Sequence, residues 1–239
     1  MKTTFQRTES SAVIVWTGSP NCNAAASSLL EKLRSDTTYF LNSPDELTNP
    51  IIGNLGEYIS FTIGRVFDYE SYYPFPANAL NPLSRISRSE LDIVWCHFGE
   101  FESDDLLVLQ EVKTTFDPLL AISSKLVADY KKLFDTDPAE QLSMRIQAVK
   151  NAVQYSLGKP NLLPRLNRLQ APNPGSCKQI RVVPTLVHEK IGADPIAKLV
   201  TVRTSLVGLG WAESTITPWS ISLADLETKL GNISTGKSE

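Results

Sequence analysis

The segment "RSELDIVWCHFGEFESDDLLVLQEVKTTF", residues 88–116, predicts two apolar strands joined by an acidic turn. Each strand carries charge inside an apolar run, with Asp92 in "LDIVW" and with Glu111 and Lys113 in "LLVLQEVKTT". A strand selected only for packing favours valine or isoleucine at such positions. Because burying a charge without a partner is costly, we expect one site to hold these charges together.

A hairpin made of these two strands brings the charged groups to one place. The turn "GEFESDD" is typical of an exposed connection, so the strands are expected to pair antiparallel, with Asp92 and Glu111 close together at one end. Side chains alternate along a strand, which puts Lys113 on the same face as Glu111. Two adjacent carboxylates repel each other, and a divalent cation such as Mg²⁺ removes that conflict. The hairpin therefore predicts a metal site with an ammonium beside it.

Composition places the chain among ordinary globular proteins. It has 239 residues, of which 42% are hydrophobic and 21% are charged, with a net charge of −3. Any contact with nucleic acid must therefore come from a local basic patch. Three dispersed cysteines without a CxxC spacing predict reduced thiols, and two histidines argue against a zinc site. The apolar run "AVIVW" is too short for a signal peptide or a membrane span, so we expect a cytoplasmic protein with no membrane contact.

The N-terminal half of the chain predicts a small unit followed by a helix. "SAVIVWTG" is typical of a buried strand, and "NAAASSLLEKLRSD" predicts a helix from Asn23, so residues 1–45 are interpreted as a strand–helix unit packed on the core. In "IIGNLGEYISFTIGRVF" apolar residues recur at helical spacing. They are Ile51, Leu55, Ile59, Ile63 and Val66. Residues 69–88, rich in proline and asparagine, predict a loop or an irregular edge segment.

The C-terminal half predicts helices around a further strand. Helices are expected over 119–134 and 139–157, a proline-rich loop over 158–178, and a strand in "QIRVVPTLVHE", where Pro184 indicates an edge or a bulge. "KLVTVRTSLVGLGW" is compatible with a strand or a helix. Ser222 is expected to cap a final helix. Together these elements predict an α/β or α+β domain around one sheet, over residues 46–231, with a flexible tail at 232–239.

The charged residues of the hairpin resemble the motif of the PD-(D/E)xK nuclease superfamily. Asp92 is followed, after 18 residues, by "EVK" at Glu111, Val112 and Lys113, and Glu57 in "GEYISF" is similar to the additional acid that many members carry on a preceding helix. Leu91 stands where the family name has proline. The resemblance covers about residues 50–190. It implies an α/β, restriction-endonuclease-like fold, with a mixed central sheet flanked by helices.

The resemblance also implies a function: a DNA endonuclease that hydrolyses phosphodiester bonds with Mg²⁺ or Mn²⁺. On this chain Asp92 and Glu111 would bind the metal, the carbonyl of Val112 would complete part of its shell, and Glu57 would bind it directly or through water. Lys113 would position the attacking water or help to deprotonate it. DNA is the expected substrate, although the sequence does not separate DNA from RNA.

A "GE" helix before a strand aspartate and an "ExK" strand are also similar to the nuclease subunits of Hachiman-type anti-phage systems. This implies a role in restriction or anti-phage defence, with a helicase or another subunit as partner. Candidate phosphate contacts are the cluster "KPNLLPRLNR" and five single basic residues: Arg85, Arg88, Lys125, Lys131 and Lys132.

A second hypothesis is a non-catalytic interaction module on the same fold. Such a module would bind a partner protein or nucleic acid, and the acidic net charge favours it. The aromatic residues Tyr72, Tyr73 and Phe75 could serve that binding by stacking, or could simply pin their segment to the core.

Overall fold

The computed structural model describes residues 5–18, 49–76, 91–134, 142, 146–169, 175, 177–189 and 193–228. In these ranges the chain forms one seven-stranded mixed sheet, in the order β1-β2-β7-β6-β5-β4-β3. Its strands are Phe5–Ser10 (β1), Val13–Gly18 (β2), Tyr73–Pro76 (β3), Ile93–His97 (β4), Leu106–Thr115 (β5), Ile180–His188 (β6) and Trp219–Ser222 (β7). The expected α/β fold with a mixed central sheet is confirmed.

Helices cover both faces of this sheet. They are Asn49–Ile63 (α1), Ser123–Lys131 (α2), Gln147–Asn151 (α3), Leu163–Arg168 (α4) and Pro195–Gly208 (α5). π-helical turns at Gly64–Asp68 and Ala152–Ser156 extend α1 and α3, and 3₁₀ turns lie at Glu102–Asp104, Lys132–Phe134, Pro160–Leu162 and Glu213–Thr215. Among the described residues, no helix combines the length and the apolarity that a bilayer span requires.

The predicted hairpin is confirmed. β4 and β5 pair antiparallel from Ile93–Gln110 to His97–Leu106. Alternation along β5 sends its side chains into two separate apolar layers. Leu107 and Leu109 lie in the layer that contains the buried residues of α2 and α5, and we call this side the α2 face. Val108 and Val112 lie in the layer that contains the buried residues of α1, and we call this side the α1 face.

The close approach of α1 to β5 depends on a glycine. The helix was predicted from its apolar stripe, and Ile59 and Ile63 are indeed buried. A Cβ atom built on Gly56 would lie 1.7 Å from Oγ1 of Thr114 on β5. Only a residue without a side chain lets the helix backbone come this near to the strand.

The prediction that Pro184 marks an edge or a bulge is wrong. β6 lies inside the sheet and pairs in parallel with both β5 and β7. The regular ladder to β7 runs only from Thr185 to His188, so the proline, which has no N–H to donate, falls just before its first pair. β5, on the other side, pairs with β6 along its whole length.

Residues 69–88, predicted as a loop or an irregular edge segment, contain an edge strand, and residues 158–178, predicted as a loop, contain a helix. Tyr73–Pro76 pairs with β4 as an edge strand, a position that tolerates proline. Leu163–Arg168 forms α4 within the stretch that was expected to be a loop.

Three further predictions concern the N-terminal strand and the last part of the described chain. "KLVTVRTSLVGLGW" lies largely in α5, whose first turn is capped by the side chain of Asp194, which accepts a hydrogen bond from the amide of Ile196 at 2.9 Å. Ser222 is the last residue of β7 and does not cap a helix. The predicted strand at Val13–Gly18 pairs with β7 and therefore belongs to the central sheet. The helix predicted from Asn23 and the tail at 232–239 lie outside the described residues.

Candidate active site

Asp92 is held at the start of β4 by the neighbouring strand. The ladder between β4 and β5 begins at the pair Ile93–Gln110, so the backbone amide of Val112 lies beyond the last backbone partner. The carboxylate of Asp92 takes the place of that partner, and its Oδ2 accepts the amide hydrogen bond at 2.7 Å. The first acid of the motif is thereby fixed to the strand that carries the second.

Glu111 lies beside Asp92, and each side chain affects the ionisation of the other. Glu111 is 3% exposed, and burial together with the charge of Asp92 raises its pKa well above the usual range. Burial also raises the pKa of Asp92, against the opposing effects of Lys113 and the Val112 amide. Each carboxylate therefore resists ionisation beside the other.

Lys113 reaches the same place from the same face of β5. Its Nζ lies 3.6 Å from Oε2 of Glu111 and 2.8 Å from Oδ2 of Asp129 on α2. Burial opposes the charge of this amine, but the surrounding acids Asp92, Glu111 and Asp129 together raise its pKa above the usual range. The side chain is therefore a permanent ammonium ion next to the acid pair.

Asp129 is a residue of this site that sequence reasoning missed. Its second oxygen lies 2.6 Å from Nζ of Lys132, and although burial opposes its charge, the ion pairs with both lysines lower its pKa. The sequence signal was weak, because an acid among lysines on a helix is typical of a solvated surface. Only the packing of α2 against the sheet brings it to Lys113.

Tyr130, the next residue on α2, anchors the helix to β5. Its buried hydroxyl donates a hydrogen bond to the carbonyl of Leu109 at 2.9 Å and accepts one from the amide of Glu111 at 3.1 Å. Burial raises the pKa of this phenol, which keeps the donor proton in place. The contact fixes the backbone of Glu111 relative to α2.

Gln110 belongs to the opposite side of β5 and has a structural role. Its side chain accepts a hydrogen bond from the indole of Trp95 and donates one to the hydroxyl of Thr185, both at 2.9 Å. This buried bridge links β4, β5 and β6 on the α1 face.

Glu57 lies in a different layer from the other three predicted residues. It is half-buried on α1, directly after Gly56, and Gly56 packs on Thr114 at the same end of β5 but on the α1 face. The fold thus brings Asp92, Glu111 and Lys113 together on the α2 face and places Glu57 on the other side of the sheet. Its role as a metal ligand stays a prediction.

The acid pair has the donor chemistry of a hard cation site. A dication would supply the positive charge that two adjacent carboxylates, one buried and one half-buried, lack. In a strand the N–H and the carbonyl of one residue point to the same side. The carbonyl of Val112 therefore points, like its N–H, past the end of β4, and it offers the site a third oxygen. Among the described residues no group of three or more acidic, histidine or cysteine side chains forms a metal cluster. Two carboxylates nevertheless suit Mg²⁺, which is commonly bound by one or two of them and retains several waters.

The basic cluster "KPNLLPRLNR", predicted to contact phosphate, contributes arginines to ion pairs within the protein. Arg165 is ion-paired with the fully buried carboxylate of Asp105, and Arg168 with Glu102 and Asp105. These pairs tie α4 to the turn between β4 and β5. Since both guanidinium groups are held in this way, the prediction that the cluster contacts phosphate loses its main support. Arg85 and Arg88 lie outside the described residues.

The aromatic residues of the proline-rich stretch pin β3 to its surroundings. Tyr72 packs on the ring of His97 with centroids 5.0 Å apart, and Tyr73 packs on Phe98 and accepts a hydrogen bond from Nζ of Lys159 at 2.7 Å. Phe75 is buried. These contacts favour the packing role over base stacking for this cluster.

No family model matches this chain, and a comparison with curated proteins found no match. The function must therefore be argued from the geometry of the site.

Proposed function

We propose that this chain is a Mg²⁺- or Mn²⁺-dependent phosphodiesterase that cleaves DNA. The observation that carries the proposal is that the buried carboxylate of Glu111 lies beside Asp92, with the ammonium of Lys113 3.6 Å from Glu111. Burying a carboxylate beside a second acid is costly to a fold, and such groups cluster at functional sites.

Each residue has a distinct role in this proposal. Asp92, Glu111 and the carbonyl of Val112 hold the metal, with Glu57 as a further ligand if it reaches around the end of the sheet. When bound, the metal lowers the pKa of a water and stabilises negative charge on the phosphate. Lys113 donates hydrogen bonds to the attacking water or to a phosphate oxygen, because its ammonium lies at the edge of the acid pair.

We also propose a biological setting. We assign the enzyme to restriction or anti-phage defence in the cytoplasm, acting with a helicase or a similar subunit that delivers DNA. The net charge of −3 and the engagement of Arg165 and Arg168 in ion pairs support a need for such a partner. An acidic protein gains little non-specific attraction to DNA.

The test is a cleavage assay on double-stranded DNA, single-stranded DNA and RNA with Mg²⁺, Mn²⁺ or a chelator. We expect cleavage that the chelator abolishes and that Glu111→Ala and Lys113→Ala each reduce by about two orders of magnitude or more. Lys178→Ala is the matched control, since this exposed lysine lies before β6 at the opposite end of the sheet. Cleavage that survives both site substitutions would disprove the assignment.

The second candidate is the non-catalytic interaction module. It is favoured by one observation: Lys113 is ion-paired with Asp129 and lies 3.6 Å from Glu111, so the acids of the site have a cation beside them without a metal. Calorimetric titration with Mn²⁺ separates the two functions. Affinity that Asp92→Ala removes supports the enzyme, and no affinity, even with DNA present, supports the module.

A further inference from the structure

Lys113 lies between two acids that compete for it. Its Nζ is 2.8 Å from Asp129 and 3.6 Å from Glu111, so the shorter ion pair is the one to α2. Glu111 belongs to the acid pair that the proposed function assigns to the metal. The described ion pairs of Asp129 are with Lys113 and Lys132, and it forms no described hydrogen bond with Asp92 or Glu111.

An ammonium ion and a dication compete for the same carboxylates. If Lys113 closed onto Glu111, it would neutralise part of the charge that attracts Mg²⁺ and would occupy an oxygen needed as a ligand. In the absence of Asp129, the nearest acid for Lys113 is Glu111. The balance between these two ion pairs therefore decides how open the acid pair is to a cation.

The position of Asp129 is fixed from two sides. The hydroxyl of Tyr130 ties this part of α2 to the backbone of β5. Lys132 occupies Oδ1 of Asp129 while Lys113 occupies Oδ2, so the carboxylate is oriented by both lysines at once. Lys132 is half exposed, and its described ion pair is with Asp129.

We propose, on the basis of the proposed metal-dependent function, that Asp129 is a positioning residue. It holds the ammonium of Lys113 away from Glu111, and this keeps Asp92 and Glu111 available to a divalent cation.

The experiment is a double-mutant cycle on metal affinity, measured by calorimetry with Mn²⁺ and without DNA. We expect Asp129→Ala to weaken binding by about tenfold, as loss of a partner around a metal site commonly does. Lys113→Met in the wild-type background should raise the affinity only slightly, because the ammonium is held toward Asp129. In the Asp129→Ala background the same substitution should restore most of the lost affinity, because the ammonium that blocks Glu111 is gone.

The coupling between the two substitutions is the decisive quantity. A simple charge effect predicts that Lys113→Met raises the affinity equally in both backgrounds, and such additivity would overturn the proposal. Lys178→Ala, at the opposite end of the sheet, is the control and should retain wild-type affinity, whereas a loss as large as that of Asp129→Ala would also overturn the proposal. Asp129→Asn, which conserves volume, replaces Asp129→Ala if the alanine variant does not fold.

The cycle separates this inference from the proposed function. If the wild-type protein binds no Mn²⁺, even with DNA present, both fail. If the wild type binds and Asp129→Ala binds equally well, only the positioning role fails.

Discussion

Oδ2 of Asp92 accepts a hydrogen bond from the backbone amide of Val112 at 2.7 Å, so the residue just before β4 satisfies an amide of β5 that lies beyond the ladder between the two strands. The same carboxylate lies beside Glu111. One side chain therefore stabilises the end of the hairpin and assembles the candidate site.

This dual role can be separated by two substitutions of Asp92. Asp92→Asn keeps an oxygen for the Val112 amide, whereas Asp92→Ala leaves that amide unpaired, at a cost of about 1–3 kcal/mol. We expect both variants to lose metal affinity, and the alanine variant to be the less stable by urea denaturation. Equal stability of the two variants would show that the hydrogen bond contributes nothing.

The acid pair should make the metal-free protein less stable as pH rises. Because the pKa values of Glu111 and Asp92 are raised, the folded state keeps protons that the unfolded state has already released. Stability therefore falls as the pH increases above the ordinary carboxyl range. Glu111→Gln, which has no proton to lose, should flatten this dependence in urea denaturation with a chelator present.

Metal should oppose the same loss. Mg²⁺ binds the folded protein, so it should raise the unfolding temperature of the wild type, and more so at alkaline than at acidic pH. Glu111→Gln should show a much smaller rise. A metal-induced increase that is identical in wild type and variant would place the cation elsewhere.

The helix–strand contact at Gly56 predicts a clear stability difference between two glycines of α1. Gly56→Ala should destabilise the protein by about 1–3 kcal/mol, because a methyl group collides with Thr114 and α1 must shift. Gly53 has open space around its Cβ position, so Gly53→Ala should stabilise the helix by up to about 1 kcal/mol. Thermal unfolding of the two variants compares them directly, and a Gly56→Ala protein as stable as wild type would contradict the close approach.

The hairpin that joins β1 to β2 stores strain at its turn. Ser11 and Ala12 have φ angles of 51° and 59°, in the left-handed region that a two-residue hairpin turn requires but that favours asparagine and glycine. The double substitution Ser11→Asn with Ala12→Gly should raise stability by about 1 kcal/mol. The measurement is the urea midpoint, and an unchanged or lower midpoint would contradict this reading of the turn.

Local patterns in the sequence predicted the centre of the fold well. The β4–β5 hairpin and α1 follow from alternation and from helical spacing within a single segment, and both are confirmed. β3 could not be predicted in the same way. Two prolines within four residues are typical of a loop, and this segment is a strand only because it pairs with β4 at the edge of the sheet. Pro184 indicates an edge or a bulge by its sequence, yet it lies in an interior strand, because the ladder between β6 and β7 begins only at Thr185.

The sequence by itself determined that Asp92, Glu111 and Lys113 meet, because one hairpin with a side-chain period of two leaves them no other arrangement. Only the tertiary structure decided that Asp129 joins them and that Glu57 lies on the other face of the sheet. The reason is physical: a helix on either side of a sheet has the same local pattern of apolar and charged residues. Which of its charges reaches the site depends on the layer into which it packs.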